Sequence, residues 1–125
     1  MTLSPLAIER LTMFADFAET IPTDKLQMDV WACGTVACVG AHAANNPEFR
    51  MLGLRATATG CPSYDGAEEF AALARFCDVS VSVAAALFSL NGQSPDFGPA
   101  ITPAAVAARF RRFIVSCEQR ELVTA

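Results

Sequence analysis

The chain has 125 residues, 53% of them apolar, which is the size of one domain and too apolar a composition for a disordered protein. No apolar run reaches the roughly 18 residues that a membrane span needs, and no secretory signal opens the chain, so we expect a soluble, cytoplasmic protein without membrane contact. The net charge is −4, with 11 acids and 5 bases in residues 1–99 and 2 acids and 4 arginines in residues 100–125. Because binding to a phosphate backbone requires clustered cations, this excess of acids argues against direct nucleic-acid binding.

The first helix is predicted over about Pro5 to Thr20. Ser4 can cap its start, and Pro5 suits the first helical position because it has no amide proton to satisfy. Apolar residues then recur at intervals of three and four until Pro22 ends the pattern. Residues 21–32 are predicted to form a polar connection.

A second helix is predicted to open near Gly34 and to run to about Asn45. A short helix over residues 48–52 follows, with Pro47 at its first position. Residues 54–59 alternate small apolar with polar side chains and form the one strand candidate, without an evident partner for pairing.

Two further helix starts are predicted in the second half of the chain. Asp65 and Glu68 have the spacing of a capping box, in which a side chain at each end of the first turn satisfies a backbone amide. Ser80 is placed to cap a helix over about Val81 to Leu90.

The last helix is predicted to begin at Thr102-Pro103, after a loop over residues 93–101. Its apolar stripe recurs at positions 106, 110, 113 and 117, so Arg109, Arg112 and Arg120 are expected outside the buried face. The fold class predicted is mainly α, a compact single-domain bundle of about five helices with room for one short β-hairpin.

Candidate chemistry concentrates between Trp31 and Ala44. Cys38 and His42 are four residues apart, a spacing that places two side chains on one helical face, and Cys33 and Cys61 would complete a zinc site. Cys33 alone is a second candidate, because the amino end of a helix lowers the pKa of a thiol.

A packing role is the third interpretation of the same segment, and the one that we favour. Free cysteines are among the most buried residues, and Gly40 would let a neighbouring helix approach closely. Cys77 and Cys117 lie on apolar stripes and are predicted to pack in the core. Five cysteines is an odd number, which favours reduced thiols over a disulfide framework. No cofactor is predicted.

The order Met28-x-x-Trp31, Cys33-Gly-Thr-x-x-Cys38-x-Gly and Thr102-Pro103 resembles a set of small uncharacterised bacterial and phage proteins. The resemblance extends from about residue 8 to residue 115. It carries no catalytic residue to this chain. It implies a mobile-element protein, and small proteins of that kind often block a host complex.

Function is predicted to lie in surface shape and charge, since no phosphate-binding loop, nucleophile elbow or dinucleotide fingerprint occurs. We expect a non-enzymatic protein-binding module, in its concrete form a phage-type inhibitor of a host defence complex, as anti-CRISPR proteins are. Its partner would be a protein with a basic surface. The alternatives are a zinc- or thiol-dependent protein and a self-associating scaffold. The predicted contacts are the acids Asp16, Glu19, Asp24, Asp29, Glu68 and Glu69.

Overall fold

A computed structural model of the chain describes residues 2–28, 31–33, 36–89 and 102–124, with the backbone alone at residues 32, 33, 36 and 120–124. The fold class is mainly α, as predicted. The helices in the described ranges are α1 (Pro5–Ala18), α2 (Val39–Ala44), α3 (Pro47–Met51), α4 (Glu69–Cys77), α5 (Val81–Phe88) and α6 (Pro103–Thr124).

Two small antiparallel sheets join the helices. In the first, β1 (Ala32–Cys33) pairs with β2 (Val36–Ala37). The second has the order β3 (Arg55–Ala56), β4 (Pro62–Tyr64), β5 (Ala67–Glu68). A 3-10 turn over Thr23–Lys25 links α1 to the first sheet.

The predicted helix caps form at several starts. The Ser4 hydroxyl accepts from the amide of Ala7, and the Ser80 hydroxyl accepts from that of Val83. Before α3, where only Pro47 was predicted as the start signal, the Asn46 side chain accepts from the amides of the two residues that follow Pro47. These side chains satisfy amides that have no partner within the helix.

The predicted start of the second helix at Gly34 is wrong. The backbone pairs as β1 and β2 on either side of residues 34–35, which lie outside the described residues, and α2 begins only at Val39. Cys38 is the residue that caps it. The strand β2 therefore lies where the first turn of that helix was predicted, and β1 lies just before it.

The predicted helix start at Asp65 is also wrong. Asp65 and Gly66 both have positive φ, 50° and 80°, and form the two-residue turn between β4 and β5. This is the geometry that an Asp-Gly pair favours in a hairpin. The strand predicted over residues 54–59 forms only at Arg55–Ala56, as β3, and it pairs with β4.

The core is built around the ring of Phe14 on α1. Four other buried phenylalanines surround it, at centroid distances of 4.8 to 5.9 Å, one each from α3, α4, α5 and α6: Phe49, Phe76, Phe88 and Phe110. Cys77 and Cys117 are buried, as predicted for core residues. Gly40 lets α2 approach α4, since an added Cβ would lie 2.9 Å from Leu73 Cδ1.

Arg109 corrects a further prediction. It lies fully buried between α5 and α6, although its position in the helical pattern placed it outside the apolar stripe. Its Nη1 donates to the carbonyls of Ala86, Leu87 and Ser89, at 3.1, 3.2 and 2.5 Å. The side chain thus caps the carboxyl end of α5, where carbonyls lack partners within the helix.

No single helix in the described ranges is long and apolar enough to cross a membrane. By length and composition alone, α4 and α5 pass that criterion together, across a bend of 107°. Both helices contribute buried side chains to the core described above.

Candidate partner-binding surface

His42 binds the backbone of the 3-10 turn. Its Nε2 lies 2.7 Å from the carbonyl oxygen of Lys25, and because a carbonyl only accepts, Nε2 carries the proton and donates it. That nitrogen is therefore engaged in holding the turn against α2. The bond gives the one histidine of the chain a structural role.

Cys38 is a buried cap. Its Sγ accepts from the amide of Ala41 at 3.5 Å, and burial raises the pKa of the thiol to about 11. The thiol is therefore protonated at neutral pH, the form that is a poor nucleophile. Cys33 lies in β1 and not at the start of α2, where Cys38 is the capping residue. The helix end that was expected to lower the pKa of Cys33 is therefore not next to it in the chain. The Cys33 side chain is outside the described residues.

Cys61 has its own surroundings in the second sheet. Its Sγ lies 3.0 Å from Thr57 Oγ1 and 3.9 Å from Glu68 Oε1. Among the side chains that the structure describes, no three His, Cys, Asp or Glu residues are placed to hold a metal ion. Cys38, His42 and Cys61 therefore do not come together as the zinc alternative requires. Trp31 packs on Phe70, with ring centroids 4.9 Å apart.

The predicted contact acids fall in two regions. Asp16 and Glu19 lie on or just after the last turn of α1, with side chains 69% and 51% exposed, and Asp24 is exposed on the 3-10 turn. Glu68 ends β5 and Glu69 begins α4 with a left-handed φ of 59°; both are exposed. Asp29 lies outside the described residues.

Arg111 on α6 binds two of these acids. Its Nη2 lies 3.0 Å from Asp16 Oδ1, and its Nη1 lies 2.6 Å from Glu19 Oε1. The guanidinium, by hydrogen bond and by charge, holds the pKa of Glu19 below its ordinary value of 4.5. One cation therefore faces two carboxylates, so these three side chains together carry a net negative charge.

Several other arginines direct their guanidinium groups to backbone carbonyls, a pattern that the sequence did not reveal. The carbonyls lie at or near helix ends and in the hairpin turn, where a cation is favourable beside unpaired oxygens. The guanidinium groups donate to backbone carbonyls as follows: Arg10 to that of Phe76, Arg50 to that of Ala44, Arg55 to that of Arg50, and Arg75 to that of Asp65. These guanidinium groups are thus engaged with backbone oxygens, while the carboxylates of Asp16 and Glu19 stay more than half exposed.

Two surface clefts flank the carboxyl end of α1. The α1/α6 cleft is lined by residues 19–23 and 102–104 and has a volume of about 550 Å³. The α1/α3 cleft has a volume of about 330 Å³ and is lined by Met13, Asp16, Phe17, Thr20, Asn46 and Glu48. We define the acidic face as Asp16, Glu19 and Glu48, the three carboxylates that line these clefts.

The chain matches no protein-family model, no curated protein and no solved structure.

Glu48 is the member of the acidic face that sequence reasoning missed. It follows Pro47 in the first turn of α3, where a carboxylate is favoured by the helix dipole, so its presence is explained locally. Its position beside α1 depends on tertiary packing: the next residue, Phe49, contacts the rings of Phe14 and Phe17. No spacing in the sequence indicates that contact.

Proposed function

We propose that this protein is a non-enzymatic binding module whose acidic face docks on the basic surface of a partner protein. In its concrete form it is a phage-type inhibitor that occupies a nucleic-acid-binding surface of a host defence complex, as anti-CRISPR proteins do. The observation that carries the proposal is the gathering of three carboxylates from α1 and α3 around two clefts. A surface that normally binds phosphates presents clustered cations, to which such a face is complementary.

The position of the acids on α1 supports this use. Asp16 and Glu19 are at the carboxyl end of the helix, where the helix dipole disfavours negative charge. Stability alone would favour lysine or arginine there. The Arg111 ion pairs offset part of this cost, but they leave the carboxylates more than half exposed. Acids at an unfavourable, exposed position are consistent with recognition of a partner.

Capture from a bacterial host lysate, with identification of the bound proteins, tests the proposal. The variant D16K/E48K reverses two charges of the acidic face, and E9K/E118K makes the same change in net charge at two exposed acids elsewhere. We expect wild type and E9K/E118K to retain one basic partner and D16K/E48K to lose it, with unchanged circular dichroism in all three proteins.

Salt dependence provides the second criterion. Because exposed charges are screened over distances comparable to the Debye length, affinity for the captured partner should fall about tenfold or more between about 50 and 200 mM NaCl. Equal loss of the partner in both charge-reversal variants, or affinity that does not change with salt, would contradict the proposal.

A further inference from the structure

We infer that the α1/α3 cleft receives a single arginine side chain of the partner. This inference rests on the proposed function and specifies the chemistry of one contact within it. The cleft combines an apolar wall, two carboxylates on separate helices and a volume of about 330 Å³, enough for one long side chain.

The apolar wall is formed by Met13 and Phe17, both half-buried. The ring of Phe17 packs on that of Phe49 at a centroid distance of 5.2 Å, which fixes it between α1 and α3. Such a wall suits the methylene stem of an arginine, and an aromatic ring also attracts a guanidinium held over its face.

The polar groups of the cleft are mainly acceptors. Asp16 and Glu48, exposed on α1 and α3, contribute carboxylates. The Thr20 hydroxyl donates its proton to the carbonyl of Phe17 at 2.7 Å, so its oxygen can only accept toward the cleft. No cationic side chain is among the lining residues. An arginine, with five N–H donors and no acceptor, complements this set.

The opposite wall is held in place by the start of α3. Asn46 Oδ1 accepts from the amide of Glu48 at 2.9 Å and from that of Phe49 at 3.4 Å. These bonds fix the first turn of α3 and hence the backbone that carries Glu48. Binding would therefore require little ordering of this wall, which limits its entropic cost.

Arg111 shows that Asp16 binds a guanidinium in this fold. Arg111 lies on α6, and in the bond described its Nη2 contacts only the Oδ1 oxygen of Asp16. A carboxylate has about four acceptor positions, so Asp16 can bind Arg111 and a second guanidinium together. Planarity and the number of donors favour arginine over lysine at such a site.

The experiment is an NMR titration of the full-length protein with N-acetyl-arginine methylamide. The lysine analogue and the neutral citrulline analogue serve as comparison probes. We expect saturable amide shifts on both walls, at residues 13–20 of α1 and 46–48 of α3, with arginine binding at least about threefold more tightly than lysine and citrulline not binding.

Three variants test the assignment. E48Q and F17L should each weaken arginine binding about threefold, whereas E9Q, a matched neutralisation at an exposed acid of α1, should leave it unchanged. Thermal melts check that each variant folds. Shifts spread over all exposed acids, an equal effect of E9Q and E48Q, or binding of citrulline would overturn the inference.

The two proposals fail in distinguishable ways. If D16K/E48K loses the partner but the arginine probe does not bind in the cleft, the proposed function holds and the inference is refuted. If the probe binds as expected but D16K/E48K still captures the partner, the cleft binds arginine and the proposed function is refuted.

Discussion

Replacement of Arg109 by methionine should cause a large loss of stability. Methionine retains much of the apolar stem but removes the group that donates to the carbonyls of Ala86, Leu87 and Ser89. A hydrogen bond from a charged donor contributes about 1.5–3 kcal/mol, and Nη1 has two protons to share among these three oxygens. With two bonds near the lower end of that range, the expected loss is about 3–4 kcal/mol of the free energy of unfolding.

Arg111 provides the matched control, because it lies two positions along the same helix with its side chain 44% exposed. Its ion pairs with Asp16 and Glu19 are solvated, so R111M should cost less than about 1 kcal/mol. In a domain of this size 1 kcal/mol corresponds to about 4 °C in melting temperature, so R109M should melt about 12–16 °C below wild type and R111M within about 4 °C of it.

The assay is urea unfolding followed by circular dichroism, with differential scanning calorimetry for the melting temperature. R109K should fall between the other two variants, since an ammonium keeps the charge but cannot reproduce the planar guanidinium fork. Burial lowers the pKa of the Arg109 guanidinium, and the three carbonyls offset the cost of burying its charge. Equal losses from R109M and R111M would refute this reasoning.

Three further predictions concern single residues. Burial raises the pKa of Cys38 to about 11, so iodoacetamide at about pH 8 should alkylate Cys38 far more slowly in the native protein than after unfolding in urea. Peptide mass spectrometry measures both rates. Equal rates would contradict the buried position of this thiol. Because the pKa of Glu19 is lowered in the folded protein, its ion pair with Arg111 stabilises the fold above pH 4.5, and this contribution is lost as the pH falls through the folded pKa. The difference in free energy of unfolding between wild type and E19Q should therefore vanish in acid. A difference that persists at about pH 2 would argue against the ion pair as its source. Despite the higher helix propensity of alanine, G40A should lower the free energy of unfolding by about 1 kcal/mol, because the new Cβ would press on buried Leu73; increased stability would show that the α2–α4 contact can adjust.

Four helix starts were predicted correctly from sequence, at Ser4, Pro47, Ser80 and Thr102-Pro103. Each depends on residues within one turn, so the local sequence suffices to identify it. The apolar stripe of α6 was equally clear, since every predicted stripe residue is buried. The mainly α fold class follows from these local signals.

The hairpin was misread because two local signals overlap. Asp65 and Glu68 have capping-box spacing, yet Asp65 is followed by Gly66, a pair that favours a two-residue hairpin turn. In the structure the residues on either side of the turn pair as β4 and β5, so the hairpin forms and the helix start does not. The Asp-Gly pair is therefore the local signal that indicates β4 as the partner of the strand candidate.

Arg109 and the α1/α3 cleft could not be predicted from local pattern. The burial of Arg109 depends on the carboxyl end of α5, which lies about 20 residues earlier in the chain. The cleft depends on α3 packing beside α1. Asp16 and Glu19 were named from sequence, but their shared contact with Arg111, 95 and 92 residues away, was not.

The arrangement of rings around Phe14 has a consequence for how the domain unfolds. Because α3, α4, α5 and α6 each supply one wall of a single aromatic cage, detachment of any one of them exposes the same central ring to water. Partial opening therefore forfeits interactions made by the other helices. These elements are bound into one cooperative unit, and their slowest amide protons should exchange through a common global event.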